Sequence, residues 1–276
     1  LKAQGVQVIN FTAGEPDFAV PKTVKAAAVQ AIESDFSKYT AVAGIPELRK
    51  ALSSKFKVEN QLEYSPEEIV VTAGAKQAIF NFLLATVNPG DEVIVPAPYW
   101  VSYPEMVKIV DGVPVIVQTT AAQNFKMTPA QLKASITPKT KALILNSPSN
   151  PTGMVYSETE FKALAKVLEG TDIWVVSDEI YEKLIYDGKF SSFAALSKDS
   201  FARTLTVNGF SKTYAMTGWR LGYAAGPKNL IAAMAILQGQ STSNASSIVQ
   251  KAGLAALSIP QKEITPLVEM FRRRRD

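Results

Sequence analysis

Neither cysteine nor histidine occurs among the 276 residues. Without cysteine there can be no disulfide, no thiolate nucleophile and no sulfur-ligated metal. Without histidine, Ser-His-Asp and Cys-His triads are excluded and the commonest metal ligand goes with them. No metal site is expected, and catalysis must rest on Lys, Tyr, Asp, Glu, Arg or a cofactor. Charge of one sign is lacking as well. The 29 basic and 25 acidic residues leave +4, interspersed along the chain, which is no nucleic-acid footprint. The one basic cluster, Arg272-Arg273-Arg274-Arg275, reads as the solvated face of a helix. No apolar run approaches the roughly 20 residues of a membrane span. No signal-peptide pattern opens the chain, so a cytoplasmic location is expected.

What is present is a globular composition, 47% hydrophobic and 20% charged, long enough for a large α/β domain. Alternating or short apolar runs predict strands at 6–11, 68–71, 92–96, 113–117, 141–145, 172–176, 204–207 and 221–225. Between them the spacing predicts helices. One starts with Pro21 at its first position and presents Val24, Ala27, Ala28 and Ala31; another runs from 44–49 to about 60. Others are expected at 78–87, 127–136, 161–168, from 229, from 243 and at 264–276. Strand alternates with helix, with polar residues gathered at strand ends. That pattern is a mostly parallel sheet covered on both faces by helices.

The chemistry sits at those strand ends. Asn208-Gly209-Phe210-Ser211-Lys212 follows an apolar strand, and a lysine among small and aromatic residues there suits a desolvated, nucleophilic amine. It also fits an ordinary strand-to-loop junction. Arg220, two turns later, offers a fork of donors for a phosphate. Thr72-Ala73-Gly74-Ala75-Lys76 links a strand to a helix through small residues, leaving backbone N–H groups free to face an anion. Tyr99-Trp100 follows the next strand, and an indole there can stack on a planar ring or simply pack. Asn150 stands in a loop stiffened by Pro148 and Pro151. Asp178 closes an apolar strand, where a carboxylate is costly without a cation. Gly14 and Tyr39 lie in loops and read equally well as turn and packing residues.

Taken together, Asn150-Pro151-Thr152-Gly153, Ser177-Asp178-Glu179-Ile180-Tyr181, Ser211-Lys212 and Arg220 resemble the fold-type I aminotransferases that use pyridoxal phosphate (PLP). Further stretches are similar to the bacterial and cyanobacterial aspartate aminotransferase group. They are Gly14-Glu15-Pro16-Asp17-Phe18, Lys38-Tyr39, Ala43-Gly44-Ile45-Pro46-Glu47-Leu48-Arg49, Pro98-Tyr99-Trp100-Val101-Ser102-Tyr103-Pro104 and Ala215-Met216-Thr217-Gly218-Trp219-Arg220. The resemblance implies an α/β fold with a seven-stranded, mostly parallel sheet between helices.

It also implies roles. Lys212 would hold PLP as a Schiff base and, once displaced, shuttle the proton between the substrate and the cofactor. Asp178 would pair with the pyridinium nitrogen, Asn150 and Tyr181 would bond the ring oxygen O3′, and Trp100 would stack on the ring. Gly74, Ala75, Ser211 and Arg220 would hold the phosphate, with Tyr39 reaching it from a neighbouring subunit of a homodimer. Lys76, beside this seat, would meet the side-chain carboxylate of aspartate. Gly14, Lys76, Trp100 and Asn150 would form the substrate side.

The expected division is a leading segment 1–20, a PLP-binding large domain 21–262, and 263–276 as the start of an interdomain helix. An N-terminal arm and a C-terminal domain with a carboxylate-clamping arginine would lie outside this stretch. The expected reaction moves an amino group from an L-amino acid, aspartate foremost, to a 2-oxo acid such as 2-oxoglutarate. Other PLP reactions on the same scaffold remain open, namely prephenate or aromatic transamination, decarboxylation and β-elimination, as does a non-catalytic PLP-sensing module. A nicotinamide-dependent dehydrogenase fits poorly, since no G-x-G-x-x-G follows the first strand.

Overall fold

A computed structural model describes residues 4–9 and 14–276. Its strands are β1 (Ile69–Thr72), β2 (Glu92–Ala97), β3 (Val113–Gln118), β4 (Thr140–Asn146), β5 (Trp174–Asp178), β6 (Thr204–Gly209) and β7 (Gly222–Ala225). They form one seven-stranded sheet in the order β1-β7-β6-β5-β4-β2-β3. Strands β3, β2, β4, β5 and β6 pair in parallel, while β7 is antiparallel to both β6 and β1. The C-terminal ends of β1, β2, β4, β5 and β6 therefore share one edge of the sheet, and β7 begins on that edge.

The helices are α1 (Lys22–Glu33), α2 (Pro46–Lys55), α3 (Ala75–Thr86), α4 (Ser102–Ile109), α5 (Pro129–Ser135), α6 (Glu158–Leu168), α7 (Lys198–Arg203), α8 (Lys228–Ser241), α9 (Ser247–Leu257) and α10 (Gln261–Arg275). Neighbouring strand residues point to opposite layers, as the period of two demands. Val70, Val176, Val207 and Ala224 pack with Phe82 of α3, Val107 of α4 and Met234 of α8. On the other face Val71, Tyr223 and Ala225 meet Val24 of α1, Leu52 of α2 and Ala252 of α9. Further along that face Val175 and Leu143 meet Leu132 of α5 and Phe161 of α6. With both faces covered, β6 is buried at every position, which explains its unbroken apolar and small-polar sequence.

The expected α/β sandwich is present, with local differences. Residues 6–9 of the strand expected at 6–11 have no regular secondary structure, and Asn10 and Phe11 lie outside the described residues. Residues 6–9 pair with no strand of the sheet, and an extended chain without a ladder is not a strand. Pro21 caps α1 instead of beginning it, because its ψ of 143° is extended. The helix expected at 127–136 is trimmed to α5 by a capping box in which Thr128 and Gln131 satisfy each other. The helix expected to reach about 60 changes at Phe56 into a wider π-helical turn, Phe56–Asn60, which stops at Gln61 with φ 59°.

Helix α4 lies between the strands at 92–96 and 113–117, where no helix is expected from the sequence. Pro104 is its third residue, where the missing N–H has no intrahelical acceptor to lose. Six-residue α7 is started by Ser197, whose Oγ accepts Ser200 N at 3.0 Å. The arginine cluster ends α10, with Arg274 on Asp17 and Arg275 on Asp187, each at 2.7 Å. Among the described residues no helix is long and apolar enough to cross a membrane.

Candidate active site

The shared strand edge opens into a cleft of about 660 Å³. Each wall is a loop that leaves a strand there. The β1–α3 turn brings Ala75 and Lys76, and the segment after β2 brings Trp100. The loop after β4 brings Asn150, the end of β5 Asp178 and Tyr181, and the loop after β6 Ser211 and Lys212. Arg220 enters from the turn into β7, and Gly14 closes the mouth. Every candidate residue from the sequence except Gly74 and Tyr39 lines this cleft. Gly74 flanks it. The Tyr39 side chain, 90% exposed, is not part of the cleft of its own chain.

Asp178 lies at the bottom, 4% exposed. Its Oδ2 accepts a hydrogen bond from Tyr103 Oη at 2.7 Å and its Oδ1 one from Ile180 N at 3.2 Å. Burial raises its pKa from 3.8 to about 6, and the two donors and the Lys212 ammonium oppose that rise. Among the described residues no salt bridge reaches it, and Lys212 is the cation whose charge acts on it within the cleft.

Lys212 is half-buried. Its Nζ donates to Gly14 O at 2.5 Å and lies 5.7 Å from the centre of the Tyr181 ring. Desolvation pulls the amine below the usual lysine value; Arg220 adds to this, and Glu15 and Asp178 oppose it. Tyr181 is pushed up to about 12 by burial and by Asp178, with the Asn150 amide pulling the other way.

The phosphate-sized end is built by close approach. Gly74 has φ 87°, and a Cβ there would come within 2.6 Å of Arg220 Nη2. Arg220 itself holds a left-handed backbone (φ 55°, ψ 56°), uncommon for an arginine and sustained by Nη1 donating to Thr217 O at 3.0 Å. Behind them Gly222 lets β7 touch the β1–α3 turn, since a Cβ there would overlap Ala75 N. The free N–H groups opening α3 and a guanidinium thus share one corner. Across the cleft, Lys76 Nζ sits 4.7 Å from the centre of the Trp100 ring.

Three residues that carry this geometry have no role from sequence reasoning. Tyr103 is quoted only within a motif, and Gly222 is an inconspicuous glycine at a strand start. Asn146 ends β4 as Asp178 ends β5; its Nδ2 donates to Asp178 O at 3.0 Å and its Oδ1 accepts Asn150 N at 2.7 Å. That shared position, a polar side chain closing an apolar strand, is the signal that could have found it.

The donor set suits PLP. The unpaired buried carboxylate matches a basic ring nitrogen, the desolvated amine an aldehyde, and the arginine corner a phosphate. Asn150 and Tyr181 supply polar groups, and Trp100 supplies a flat wall.

The chain matches the protein family described as "Aminotransferase class I and II" over residues 6–276. It is 53% identical over 278 residues to the aspartate/prephenate aminotransferase of Cereibacter sphaeroides, covering 100% of this chain and 70% of that one. Its fold superposes on the crystal structure of the aspartate aminotransferase from Rhizobium meliloti with a TM-score of 0.97 at 49% identity, over 100% of this chain and 69% of that one. The aspartate aminotransferase from Thermus thermophilus with maleate gives 0.95 at 50% identity, over 100% and 72%. Sequence and fold agree along the chain, and it belongs to the class I and II aminotransferases, enzymes that transfer amino groups with the help of PLP.

Proposed function

We propose that this protein moves the amino group of L-aspartate to 2-oxoglutarate, with Lys212, Asp178 and Tyr181 as its catalytic residues. The observation that carries the reading is a single cleft in which the Lys212 amine lies among Asp178, Tyr181 and Arg220. PLP, when bound, supplies a carbonyl carbon that accepts the amino group and a ring that withdraws electrons.

The protein's part follows from its residues. Lys212, desolvated, would anchor the cofactor and, once free, its Nζ would take up and carry the proton of the substrate Cα. Asp178 would pair with a protonated ring nitrogen. Its own carboxyl is ionised above about pH 6, which fits that task near neutrality. Arg220, Ser211, Ala75 and the Gly74 turn would hold the phosphate, while Asn150 and Tyr181 would orient the ring against Trp100. Gly14 and Lys76 face the substrate, Lys76 offering a cation to a second carboxylate.

The reading extends to a homodimer in which Tyr39 reaches the partner's cleft, and to the cytoplasm as its compartment. Residues 21–262 form the PLP-binding domain, flanked by a leading segment 1–20 and by 263–276 at the start of an interdomain helix.

Loading the protein with PLP and mixing it with aspartate and 2-oxoglutarate should yield glutamate and oxaloacetate in equal amounts. Alanine and carbon dioxide formed from aspartate, with no glutamate, would mark β-decarboxylation and overturn the proposal. A second reading has support in several relatives, which are named for prephenate as well as aspartate. The same assay with prephenate as acceptor decides whether this chain shares that range.

A further inference from the structure

Residues 178–182 turn off the end of β5, and their side chains divide between two environments. Asp178 and Tyr181 face the cleft. Glu179 and Glu182 lie outside it, 1% and 8% exposed, and a carboxyl buried there must find partners. Glu179 Oε1 accepts from Ser177 Oγ at 2.8 Å and Ser192 Oγ at 2.7 Å. Glu182 is held more strongly. Its Oε1 accepts from Lys55 Nζ and its Oε2 from Asn60 Nδ2 at 2.8 Å, while Lys55 Nζ also donates to Asn60 Oδ1 at 2.8 Å. The three side chains close a ring sealed from water, with the Lys55 and Glu182 side chains 7% and 6% exposed.

A pair at this depth adds little stability over apolar side chains of equal volume, so its placement calls for another purpose. Lys55 is the last residue of α2, Asn60 ends the π-helical turn, and Glu182 directly follows the cleft phenol of Tyr181. The backbone at Tyr181 is thus fixed between strand β5 on one side and a bolt to α2 on the other. Around the ring stand Glu59, 3.6 Å from Lys55 Nζ, and Lys183, 3.0 Å from Glu59. Glu179, Tyr214 and Tyr223 also face it. The phenol itself is faced by Asp178 and Lys212.

We propose that the Lys55–Glu182–Asn60 ring is a positioning device for Tyr181, setting how its hydroxyl meets bound PLP, and hence how tightly PLP binds and at what pH its bound form titrates. The inference rests on the reading of the cleft as a PLP site.

PLP titrated into wild type and variants, followed by visible absorbance across pH, tests it. Lys55→Met/Glu182→Leu removes both charges while keeping the volume; Tyr181→Phe removes the hydroxyl. The double variant should weaken PLP binding about threefold to tenfold, and in the Tyr181→Phe background it should add less than about twofold. Its pH midpoint should move by about 0.5 unit relative to wild type. If the double variant does not fold, Asn60→Ser, which loosens the ring without unpairing the charges, should shift both readings the same way by less. Folded variants with wild-type affinity and midpoint overturn the inference, as do effects that multiply with Tyr181→Phe. A wild-type protein that binds no PLP overturns the cleft reading itself, and this inference with it.

Discussion

Replacing Tyr103 with phenylalanine removes one hydroxyl from the driest part of the cleft. The ring should stay in place, since it is 2% exposed and stands edge-on to Trp100 at 5.3 Å. What disappears is the 2.7 Å hydrogen bond to Asp178 Oδ2, leaving Ile180 N at 3.2 Å as a donor to that carboxylate. Burial already lifts Asp178 from 3.8 to about 6. A hydrogen bond to a charged acceptor contributes about 1.5–3 kcal/mol. At about 1.4 kcal/mol per pH unit, its loss should raise the carboxyl by roughly one to two units. At pH 7 the wild-type group is then ionised in about nine molecules of ten and the variant in about half or fewer. The assay is PLP affinity against pH. Only the ionised carboxylate pairs with a protonated ring nitrogen, so wild-type affinity should fall as pH drops through about 6. In Tyr103→Phe that fall should begin a unit or more higher. A variant profile that superimposes on wild type would refute the reasoning.

Gly222→Ala should cost about 1–3 kcal/mol by forcing β7 away from Ala75 N, read as a lower melting temperature together with weaker PLP binding. Glu179, buried, has its carboxyl raised from 4.5 to about 8. The folded state therefore holds that proton more tightly than the unfolded one, and stability is lost as pH rises from 4.5 towards 8. Glu179→Gln removes this penalty: its melting temperature should exceed that of wild type at pH 9 and converge with it near pH 5. Lys76→Ala should raise KM for aspartate about tenfold or more, the worth of a charge-assisted hydrogen bond, while leaving KM for an uncharged amino donor nearly unchanged. Equal effects on both donors would remove Lys76 from side-chain recognition.

Much of the site is legible in the sequence for one physical reason. In a sheet covered on both faces, charged and amide side chains gather at the strand ends and the loops beyond them, so Asp178, Asn150 and Lys212 stand out against apolar and small-polar runs. Tyr103 does not stand out, because a tyrosine in an aromatic cluster reads as packing and the prolines around it hide the start of α4. The role of Gly222 depends on two segments about 150 residues apart touching, a tertiary fact with no local signature. Asn60 and Glu182 are equally silent: a π-helical turn and a buried ion pair look like surface helix chemistry when read alone. Tyr39 enters only as a proposal that rests on resemblance. Its fully displayed side chain gives it no task within one chain. Residues 6–9 of the strand expected at 6–11 show the opposite error, where alternation without a partner strand makes no ladder.

The most direct test of the cleft is to find which amine carries the cofactor. Borohydride reduction of the PLP-loaded protein, followed by digestion and mass spectrometry, should place the label on the peptide containing Lys212 and leave Lys212→Ala unlabelled. A label on Lys76 or any other lysine, or none on the wild-type protein, would contradict it.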